Sequence, residues 1–230
     1  MPDVLEKLAL CIEKGKVNAN SSYPPEMKDE EGSDELTRKS LKQGIAPSEI
    51  LAKGLIAGME RIGEKFRNNE VFLPDILMAA KALNAGMEHL KPYFKSGKVK
   101  HKGTVILGTV AGDLHDIGKK IVGMFLEGGG WKVVDLGVDA PSEKFLGVLE
   151  ETPACAVGLS ALLTTTMMNM EKITKDIKAK YPAVKVIVGG APLTQEFASR
   201  IGADGYSSDP KGALDFLNTT CFRPKLPIKN

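Results

Sequence analysis

Long apolar runs are missing from this sequence of 230 residues. Its longest runs, such as Thr104–Val110 and Val184–Val188, are far too short to span a bilayer. The first residues, Met1–Leu10, alternate charged and apolar side chains and lack the apolar core of a signal peptide. We therefore expect a cytoplasmic protein that has no membrane as a partner.

Cysteine is scarce, and neither sign of charge is in excess. The odd number and wide separation of the 3 cysteines, Cys11, Cys155 and Cys221, argue against a disulfide framework and a thiolate metal cluster. The 31 basic and 29 acidic residues leave a net charge of +2, which gives no electrostatic case for nucleic acid as a partner. Hydrophobic residues make up 43% of the chain, so a packed core of ordinary size is expected.

The N-terminal part of the chain has the periodicity of helices, with apolar residues three and four positions apart. The polar Asn68-Asn69-Glu70 interrupts this pattern, and Pro92 predicts the end of the last helix. The pattern predicts a small four-helix bundle made of Val4–Lys14, Asp34–Gln43, a helix that begins at Pro47 and stops before Asn68, and a helix from near Pro74 to Pro92.

After a basic and polar stretch the pattern changes to strands that alternate with helices. The predicted strands are Gly103–Val110, Trp131–Leu136, Ala154–Ser160, Val184–Val188 and Ala203–Tyr206. The predicted helices are Ile117–Glu127, Ser142–Glu150, Met167–Lys180, Leu193–Ile201 and Pro210–Asn218. This alternation predicts a doubly wound, five-stranded parallel sheet of the Rossmann-like, flavodoxin-like type. We expect a helical domain over residues 1–97, a linker over 98–102 and an α/β domain over 103–223.

Ligands of such sheets bind at the carboxyl ends of the strands. That rule points to the loops Ala111–Gly118, Ser160–Thr166 and Gly189–Pro192. The first loop holds His115 directly after a strand, with Asp113 two positions earlier. A neutral imidazole can ligate a metal, and a carboxylate that accepts its other N–H fixes the tautomer. The same pair is also common as a structural hydrogen bond, and the local sequence leaves both interpretations open.

The signatures of several other sites are absent from the sequence. No second histidine or cysteine lies near His115, which argues against a metal site built from protein ligands alone. Ser160 is not surrounded by a nucleophile elbow, which argues against a serine hydrolase. The glycines form neither a dinucleotide fingerprint after the first strand nor a phosphate-binding loop.

Three short motifs occur at long range along the α/β half of the chain. Asp113-x-His115-x-x-Gly118 is followed by 41 residues and then Ser160-x-Leu162, and a further 26 residues lead to Gly189-Gly190. In these motifs, their order and their spacing, the sequence resembles corrinoid proteins that bind cobalamin with a protein histidine on cobalt and carry methyl groups in methyltransferase systems. The resemblance covers residues 45–220 and extends, more distantly, to the cobalamin-binding module of methionine synthase.

The resemblance implies a role for each matching residue. His115 would be the lower axial ligand of cobalt and would displace the cofactor's own base. Asp113 would accept the other imidazole N–H, and Thr166 would extend this relay where methionine synthase has serine. Ser160 would bind the displaced base, and Leu162 would line the slot for the nucleotide tail. The other cofactor-binding residues implied in the α/β domain are Asp116, Ile117, Gly118, Thr164, Gly189, Gly190 and Tyr206.

In the helical half, Phe66 and Leu73 match the residues with which this family covers the upper face of the corrin. Apolar residues at helical spacing are otherwise ordinary core residues, so their position alone does not decide between these roles. The resemblance implies that the helical domain is a cap, and that residues 98–102 form a hinge that lets it swing aside.

The resemblance further implies a carrier subunit, not a stand-alone enzyme. Such a protein carries a methyl group on cobalt from a substrate-specific methyltransferase to a second methyltransferase with a pterin (tetrahydrofolate) or thiol acceptor. A reductive activator is a further expected partner. Methoxylated aromatics and methylamines are the favoured donors, and the Tyr23-Pro24-Pro25 loop is similar to that of O-demethylase carriers.

Three alternatives remain open to the sequence. A cobalamin-dependent sensor or regulatory domain would share the core but add a DNA-binding or signalling domain, for which the residues before the cap are too few and too acidic. The cobalamin subunit of a radical mutase would share the motif but not the cap. A flavodoxin-like domain without a corrinoid would leave the spacing of the three motifs unexplained.

Overall fold

The computed structural model describes residues 3–221, which contacts divide into two compact units. The helical unit comprises the described residues up to His101 together with Glu127–Gly130. The α/β unit comprises Lys102–Leu126 and the described residues from Trp131 onward. Each unit buries its own set of apolar side chains. This confirms the predicted fold class, a helical N-terminal region followed by a parallel α/β sheet.

The helical unit contains the four predicted helices, one of them with an irregular middle. Its α-helices are α1 (Val4–Lys14), α2 (Ser33–Lys42), α3 (Pro47–Glu49), α4 (Ala57–Arg67) and α5 (Leu73–Lys95). Residues Ile50–Ile56 form a π-helix that joins α3 to α4, so the helix predicted from Pro47 is continuous. Within residues 3–221, no helix combines the length and the apolar character needed to cross a bilayer.

Helix α1 illustrates how the apolar spacing builds this unit. Leu5, Leu8, Ala9 and Ile12 lie three and four positions apart, and all of them are buried. Gly15 ends the helix with a φ of 72°, and its N–H donates to the carbonyl of Ile12 at 3.1 Å. A left-handed residue of this kind satisfies carbonyls that the helix leaves without partners.

The predicted end of α5 at Pro92 is wrong. The helix continues through Pro92 to Lys95, and the N–H of Ser96 still donates to the carbonyl of Pro92 at 3.0 Å. A proline removes only the hydrogen bond that its own nitrogen would donate, and here it lies within the last turn. The chain leaves the helix where Gly97 adopts a φ of 73°.

The five predicted strands form one parallel sheet. They are β1 (Thr104–Thr109), β2 (Lys132–Asp135), β3 (Ala156–Ser160), β4 (Lys185–Gly189) and β5 (Gly205–Ser207). Their order is β2-β1-β3-β4-β5, and every neighbouring pair is parallel. The chain moves outward from β1 to β2 and then crosses back to β3, so the loops after β1 and β3 leave on opposite sides. Such a switch point opens a crevice at the carboxyl ends of these two strands.

Helices cover both faces of the sheet. They are α6 (Ile117–Gly128), α7 (Ser142–Glu151), α8 (Thr164–Met167), α9 (Asn169–Lys180), α10 (Gln195–Arg200) and α11 (Pro210–Thr220). Side chains of α7, α9 and α10 share one buried cluster with β1, β3 and β4, whereas α6 and α11 contribute to a second cluster that contains Trp131. The helix predicted from Met167 begins earlier, at Thr164, and is divided into α8 and α9.

Candidate cofactor site at the carboxyl edge of the sheet

Four strands end in a row of small residues. The register pairs Thr109 with Ser160, Ser160 with Gly189, and Gly189 with Ser207. Residues in register point to the same face of a sheet, here the face that carries α6 and α11. The Ser160 hydroxyl has no hydrogen-bond partner among the described residues. The row therefore leaves room, and one polar group, for a ligand at this edge.

The carboxylate of Asp113 joins the loops that follow β1 and β3. Its Oδ1 accepts the backbone N–H of His115 at 3.0 Å and lies 2.8 Å from the Nδ1 of the same residue. Its Oδ2 accepts the N–H of Leu162 at 2.8 Å, the N–H of Leu163 at 3.3 Å and the hydroxyl of Thr166 at 2.6 Å. The side chain of Asp113 is fully buried. One carboxylate thus fixes the positions of two loops relative to each other.

These donors decide the charge of the buried carboxyl group. Burial by itself would raise its pKa, because a low dielectric disfavours the charged form. The hydrogen bonds from the Thr166 hydroxyl, from the N–H groups of His115 and Leu162 and from the imidazole outweigh burial and hold the pKa of Asp113 well below its ordinary value. Asp113 is therefore an anion at neutral pH.

An anionic Asp113 also assigns the tautomer of His115. A carboxylate without a proton can only accept hydrogen bonds, so Nδ1 must carry the hydrogen. The lone pair of the neutral ring then lies on Nε2, which has no partner among residues 3–221. The His115 side chain is 51% exposed, so Nε2 is accessible from outside the protein. This is the arrangement in which an imidazole ligates a metal through Nε2 while a carboxylate orients it.

The surroundings of His115 are unusually apolar for an exposed surface. Leu114 is 72% exposed and Ile117 is 66% exposed, and the next loop adds the partly exposed Leu162 and Leu163. A Cβ added at Gly118 would meet no atom within 4 Å, so the start of α6 is open. Exposed large apolar side chains around a polar group mark a ligand-binding surface. A half-exposed imidazole, an apolar rim and a row of small residues fit a large flat cofactor with a metal centre and a tail.

Gly190 is required by the fold itself. Its φ is 140°, and an added Cβ would lie 1.8 Å from the carbonyl oxygen of Ala161. The clash is thus with the protein backbone, which gives this glycine a structural reason independent of a bound tail. At Gly189 an added Cβ would lie 3.2 Å from the carbonyl oxygen of Ser207, a tight but less severe contact.

Most of the predicted α/β residues lie at this edge, but Tyr206 does not join them. Thr164 lies in the first turn of α8, and Asp116 forms an ion pair with Lys120 at 2.5 Å that lowers the pKa of Asp116. Tyr206 packs against the cluster on the opposite face of the sheet from Ser160. The residue of β5 that lies on the same face as Ser160 is Ser207, because side chains alternate along a strand.

Sequence reasoning missed three side chains that hold the His115 loop. The hydroxyl of Thr109 donates to the carbonyl of His115 at 3.0 Å. Asp139 Oδ1 accepts the N–H of Gly112 at 2.7 Å, and Asn169 Nδ2 donates to the carbonyl of Ala111 at 2.7 Å. Thr109 ends β1, Asp139 follows β2 and Asn169 begins α9. These positions are far apart in the sequence, so no local motif contains all three.

Phe66 and Leu73, the two predicted cap residues, belong to the helical unit. Phe66 lies at the end of α4 and Leu73 at the start of α5, and both are half-buried. The neighbouring Phe72, which the sequence analysis did not select, is far more exposed. The apolar surface at the α4–α5 turn is therefore larger than the sequence predicts.

Comparisons with known proteins assign this chain to a family. A family model described as a B12 binding domain matches residues 103–215, and a second with the same description matches residues 28–91. Trimethylamine corrinoid protein 1 of Methanosarcina acetivorans is 45% identical over 182 residues, which cover 77% of this chain and 84% of that protein.

Two solved structures support the same assignment. A cobalamin-binding protein from Desulfitobacterium hafniense DCB-2 has a TM-score of 0.74 and 28% identity, covering 94% of this chain and 98% of that one. The methanol:cobalamin methyltransferase complex MtaBC from Methanosarcina barkeri has a TM-score of 0.77 and 28% identity, covering 94% of this chain and 78% of that one. The predicted cofactor is confirmed by these matches. The chain belongs to the family of B12-binding corrinoid proteins, and its cofactor is a cobalamin.

Proposed function

We propose that this protein is a methyl carrier that binds its cobalamin through Nε2 of His115. The observation that carries the proposal is the geometry of one ring: Nδ1 lies 2.8 Å from a buried carboxylate, and the rest of the side chain is half-exposed. A bound corrinoid supplies a cobalt centre that accepts and releases a methyl group. The protein's part is to hold and tune that centre.

Asp113 would tune the ligand by keeping the proton on Nδ1. An anion that accepts this N–H raises the basicity of the opposite nitrogen, which strengthens its bond to a metal. Thr166 supports this role, because its hydroxyl bonds the second oxygen of Asp113 at 2.6 Å. The buried carboxylate would therefore transmit changes at the imidazole to the loop that contains Leu162 and Thr166.

The remaining residues of the edge would receive the rest of the cofactor. Ser160 would offer its hydroxyl to the displaced base, and Gly189 would leave space for the tail. Exposed apolar side chains of Leu114 and Leu162 would lie under the corrin. The other cofactor contacts that we propose are Asp116, Ile117, Gly118, Thr164 and Gly190.

In the helical unit, Phe66 and Leu73 would cover the upper face of the corrin. An apolar cover keeps water away from a reactive centre. We propose that residues 98–102 connect this cap to the cobalamin-binding domain and act as the hinge through which partners gain access.

The partners are a substrate-specific methyltransferase, a second methyltransferase with a pterin or thiol acceptor, and a reductive activator. Among donors we propose a methylamine. The support is that Methanosarcina relatives at 43–45% identity are named trimethylamine or dimethylamine corrinoid proteins. Methoxylated aromatics have no comparable support, so the O-demethylase assignment is not retained.

The test is cobalt(II) electron paramagnetic resonance of the loaded protein, prepared with 14N- or 15N-labelled histidine. We expect the nitrogen splitting of the wild type to change with the isotope, because the two isotopes differ in nuclear spin. His115→Ala should remove the isotope effect while cobalamin remains bound through its tail. His89→Ala is the matched control, since His89 binds Asp34 in the helical unit. An isotope effect that survives in His115→Ala would remove His115 from the ligand role.

The donor is tested separately, by methyl transfer from purified methyltransferases of each substrate class. Transfer from a methylamine-specific enzyme, and not from an aromatic O-demethylase, is expected. The opposite preference would overturn the proposed donor without affecting the ligand assignment.

A further inference from the structure

The backbone of the His115 loop has no regular structure of its own. Residues 111–116 lie between β1 and α6, and Gly112 has a φ of 80°. Within the loop, the N–H of Asp113 donates to the carbonyl of Val110 at 3.1 Å. The hydrogen bond between Asp113 and His115 fixes the ring relative to the loop. It does not fix the loop relative to the sheet.

Thr109 connects the loop to strand β1 of the sheet. It is the last residue of β1, its side chain is fully buried, and its hydroxyl donates to the carbonyl of His115 itself. The Thr109 backbone is held on the β2 side, since its N–H donates to Gly137 at 3.0 Å and its carbonyl accepts from Ala140 at 2.9 Å. The hydroxyl thus belongs to a rigid element and acts on the residue that carries the ligand.

Asp139 holds the loop from the β2 side. Its Oδ1 accepts the N–H of Gly112 at 2.7 Å, and its own N–H donates to the carbonyl of Asp113 at 3.1 Å. It does so in a left-handed conformation with a φ of 50°. A non-glycine residue in this region costs about 1 kcal/mol or more, and such strain concentrates at functional sites.

Asn169 holds the loop from the β3 side. It is the first residue of α9, and its Nδ2 donates to the carbonyl of Ala111 at 2.7 Å. Both Asn169 and Asp139 are exposed, so water could replace either partner at little cost in stability. Both side chains bind the segment 111–113, so their hydrogen bonds are better explained as fixing the position of this segment than as stabilising the fold.

We propose that Thr109, Asp139 and Asn169 are positioning residues that set where the His115 imidazole is presented to cobalt. The inference rests on the proposed role of His115. Three segments of the chain contribute one side chain each, and together they fix Ala111, Gly112 and His115 by their backbone atoms. The ring is then placed before the cofactor arrives, so ligation does not require ordering of the loop.

The decisive variant is Thr109→Val, which keeps the branched shape and removes the hydroxyl. We expect the equilibrium constant for histidine ligation to fall about tenfold, as is found when a residue that hydrogen-bonds to a metal ligand is lost. The readout is the isotope-dependent nitrogen splitting of cobalt(II) in protein labelled with 15N-histidine, compared at equal cobalamin occupancy. Thr109→Ser restores the donor and should restore the splitting.

Asp139 and Asn169 provide a second test on exposed positions, where a substitution removes little packing. Asp139→Ala should lower histidine ligation and accelerate hydrogen–deuterium exchange of segment 111–116 in cofactor-free protein. Asp139→Asn keeps an acceptor oxygen and should have the smaller effect. Asn169→Ala should act in the same direction as Asp139→Ala.

The outcomes separate this inference from the proposed function. If the wild type shows no isotope effect, the ligand role of His115 fails and the inference fails with it. If the wild type shows the effect, and Thr109→Val and Asp139→Ala leave both ligation and exchange unchanged, only the inference is overturned. If the variants lower the unfolding free energy but leave the ligation constant at the wild-type value, these residues are merely structural and the inference is again overturned.

Discussion

At the carboxyl end of the sheet, Asp113 accepts hydrogen bonds from backbone N–H groups, a hydroxyl and an imidazole. At the amino end, by contrast, Asp204 is surrounded by lysines. Asp204 lies before β5, pairs with Lys178, and contacts Lys185 at 3.2 Å. Its Oδ2 also accepts the N–H of Val186 at 2.7 Å. Burial raises the pKa of Asp204, but the bonds from Lys178, Val186 and Lys185 outweigh it, so the pKa of both aspartates is lowered.

The two ends also differ in whether their apolar side chains are buried or exposed. At the amino end Trp131 is buried, and its Nε1 donates to Asn218 at 3.2 Å. At the carboxyl end Leu114 and Ile117 remain exposed. One end is closed by the protein's own groups, and the charge of Asp204 is neutralised there. The other end keeps an anion held by neutral donors, so its charge acts on the adjacent imidazole and on whatever that ring binds.

Among the variants that test this comparison between the two ends, the largest loss of stability is expected for Gly190→Ala, at the carboxyl end. The added Cβ would lie 1.8 Å from the Ala161 carbonyl oxygen, and the φ of 140° is strained for any other residue. We expect the free energy of unfolding to fall by about 3 kcal/mol in urea titrations. Gly202→Ala, near the amino end, is the control, because its φ is 78° but nothing lies within 4 Å of the added atom. It should lose only about 1 kcal/mol, and equal losses would contradict the steric argument.

A smaller effect is expected for Asp113→Asn. The amide keeps one acceptor oxygen and turns its NH2 group towards donors, so some of the bonds from Leu162, Leu163 and Thr166 are lost. We expect the cofactor-free protein to lose about 2 kcal/mol at neutral pH. Because the folded-state pKa of Asp113 is lowered, this contribution is complete above about pH 3.9 and disappears as the pH falls towards the folded-state pKa. Urea titrations from pH 7 to pH 3 should therefore narrow the difference between the two proteins without removing it, and a constant difference would contradict the assignment.

Asp204→Asn should have a smaller effect that depends on salt. Its lysine partners are partly exposed, so we expect a loss of about 1 kcal/mol at low ionic strength. The loss should shrink in 1 M salt, because exposed ion pairs are screened. The loss in Asp113→Asn should not shrink, because its donors are uncharged. The lowered pKa of Asp204 gives the same pH sign, with stability lost as the pH falls. If both variants respond equally to salt, the proposed difference between the two ends is wrong.

The smallest effect on stability is expected for Gly118→Ala, and it has the opposite sign. This position is helical and open, so alanine should stabilise the cofactor-free protein by about 0.5–1 kcal/mol. Cobalamin affinity should nevertheless fall by about tenfold, since the added methyl group would enter the space proposed for the cofactor. Thermal unfolding and cobalamin titration measure the two quantities separately. Unchanged affinity would show that the start of α6 does not face the cofactor.

Elements with strong local patterns could be predicted from the sequence. The strand end at Ser160 and the contact between Asp113 and His115 follow from residue spacing and from the rule for parallel sheets, whereas β4 continues one residue beyond its predicted end, to Gly189. Pro92 was misjudged because a proline in the last helical turn removes one hydrogen bond without ending the helix. The cofactor role of Tyr206 stays a prediction; its side chain lies on the face opposite Ser160 because successive side chains along a strand alternate between faces.

Other features had no local signal. Asp139 and Asn169 become neighbours of the His115 loop only through the order of the strands, which the alternation of strands and helices does not determine. The reason for Gly190 could not be read from the sequence either. Its conflict is with the carbonyl of Ala161, and this contact exists only once β3 and β4 are paired.

The row Thr109, Ser160, Gly189 and Ser207 has a consequence for how the protein acquires its cofactor. Its members come from four parallel strands that succeed one another along most of the α/β unit. Parallel pairing is non-local and forms slowly, because each crossover must close before a strand finds its neighbour. If this row receives the cofactor as proposed, a growing chain would have no complete cobalamin site until residue 207 has left the ribosome and β5 has docked. Loading would then be a late event in biogenesis, restricted to chains whose sheet is already complete.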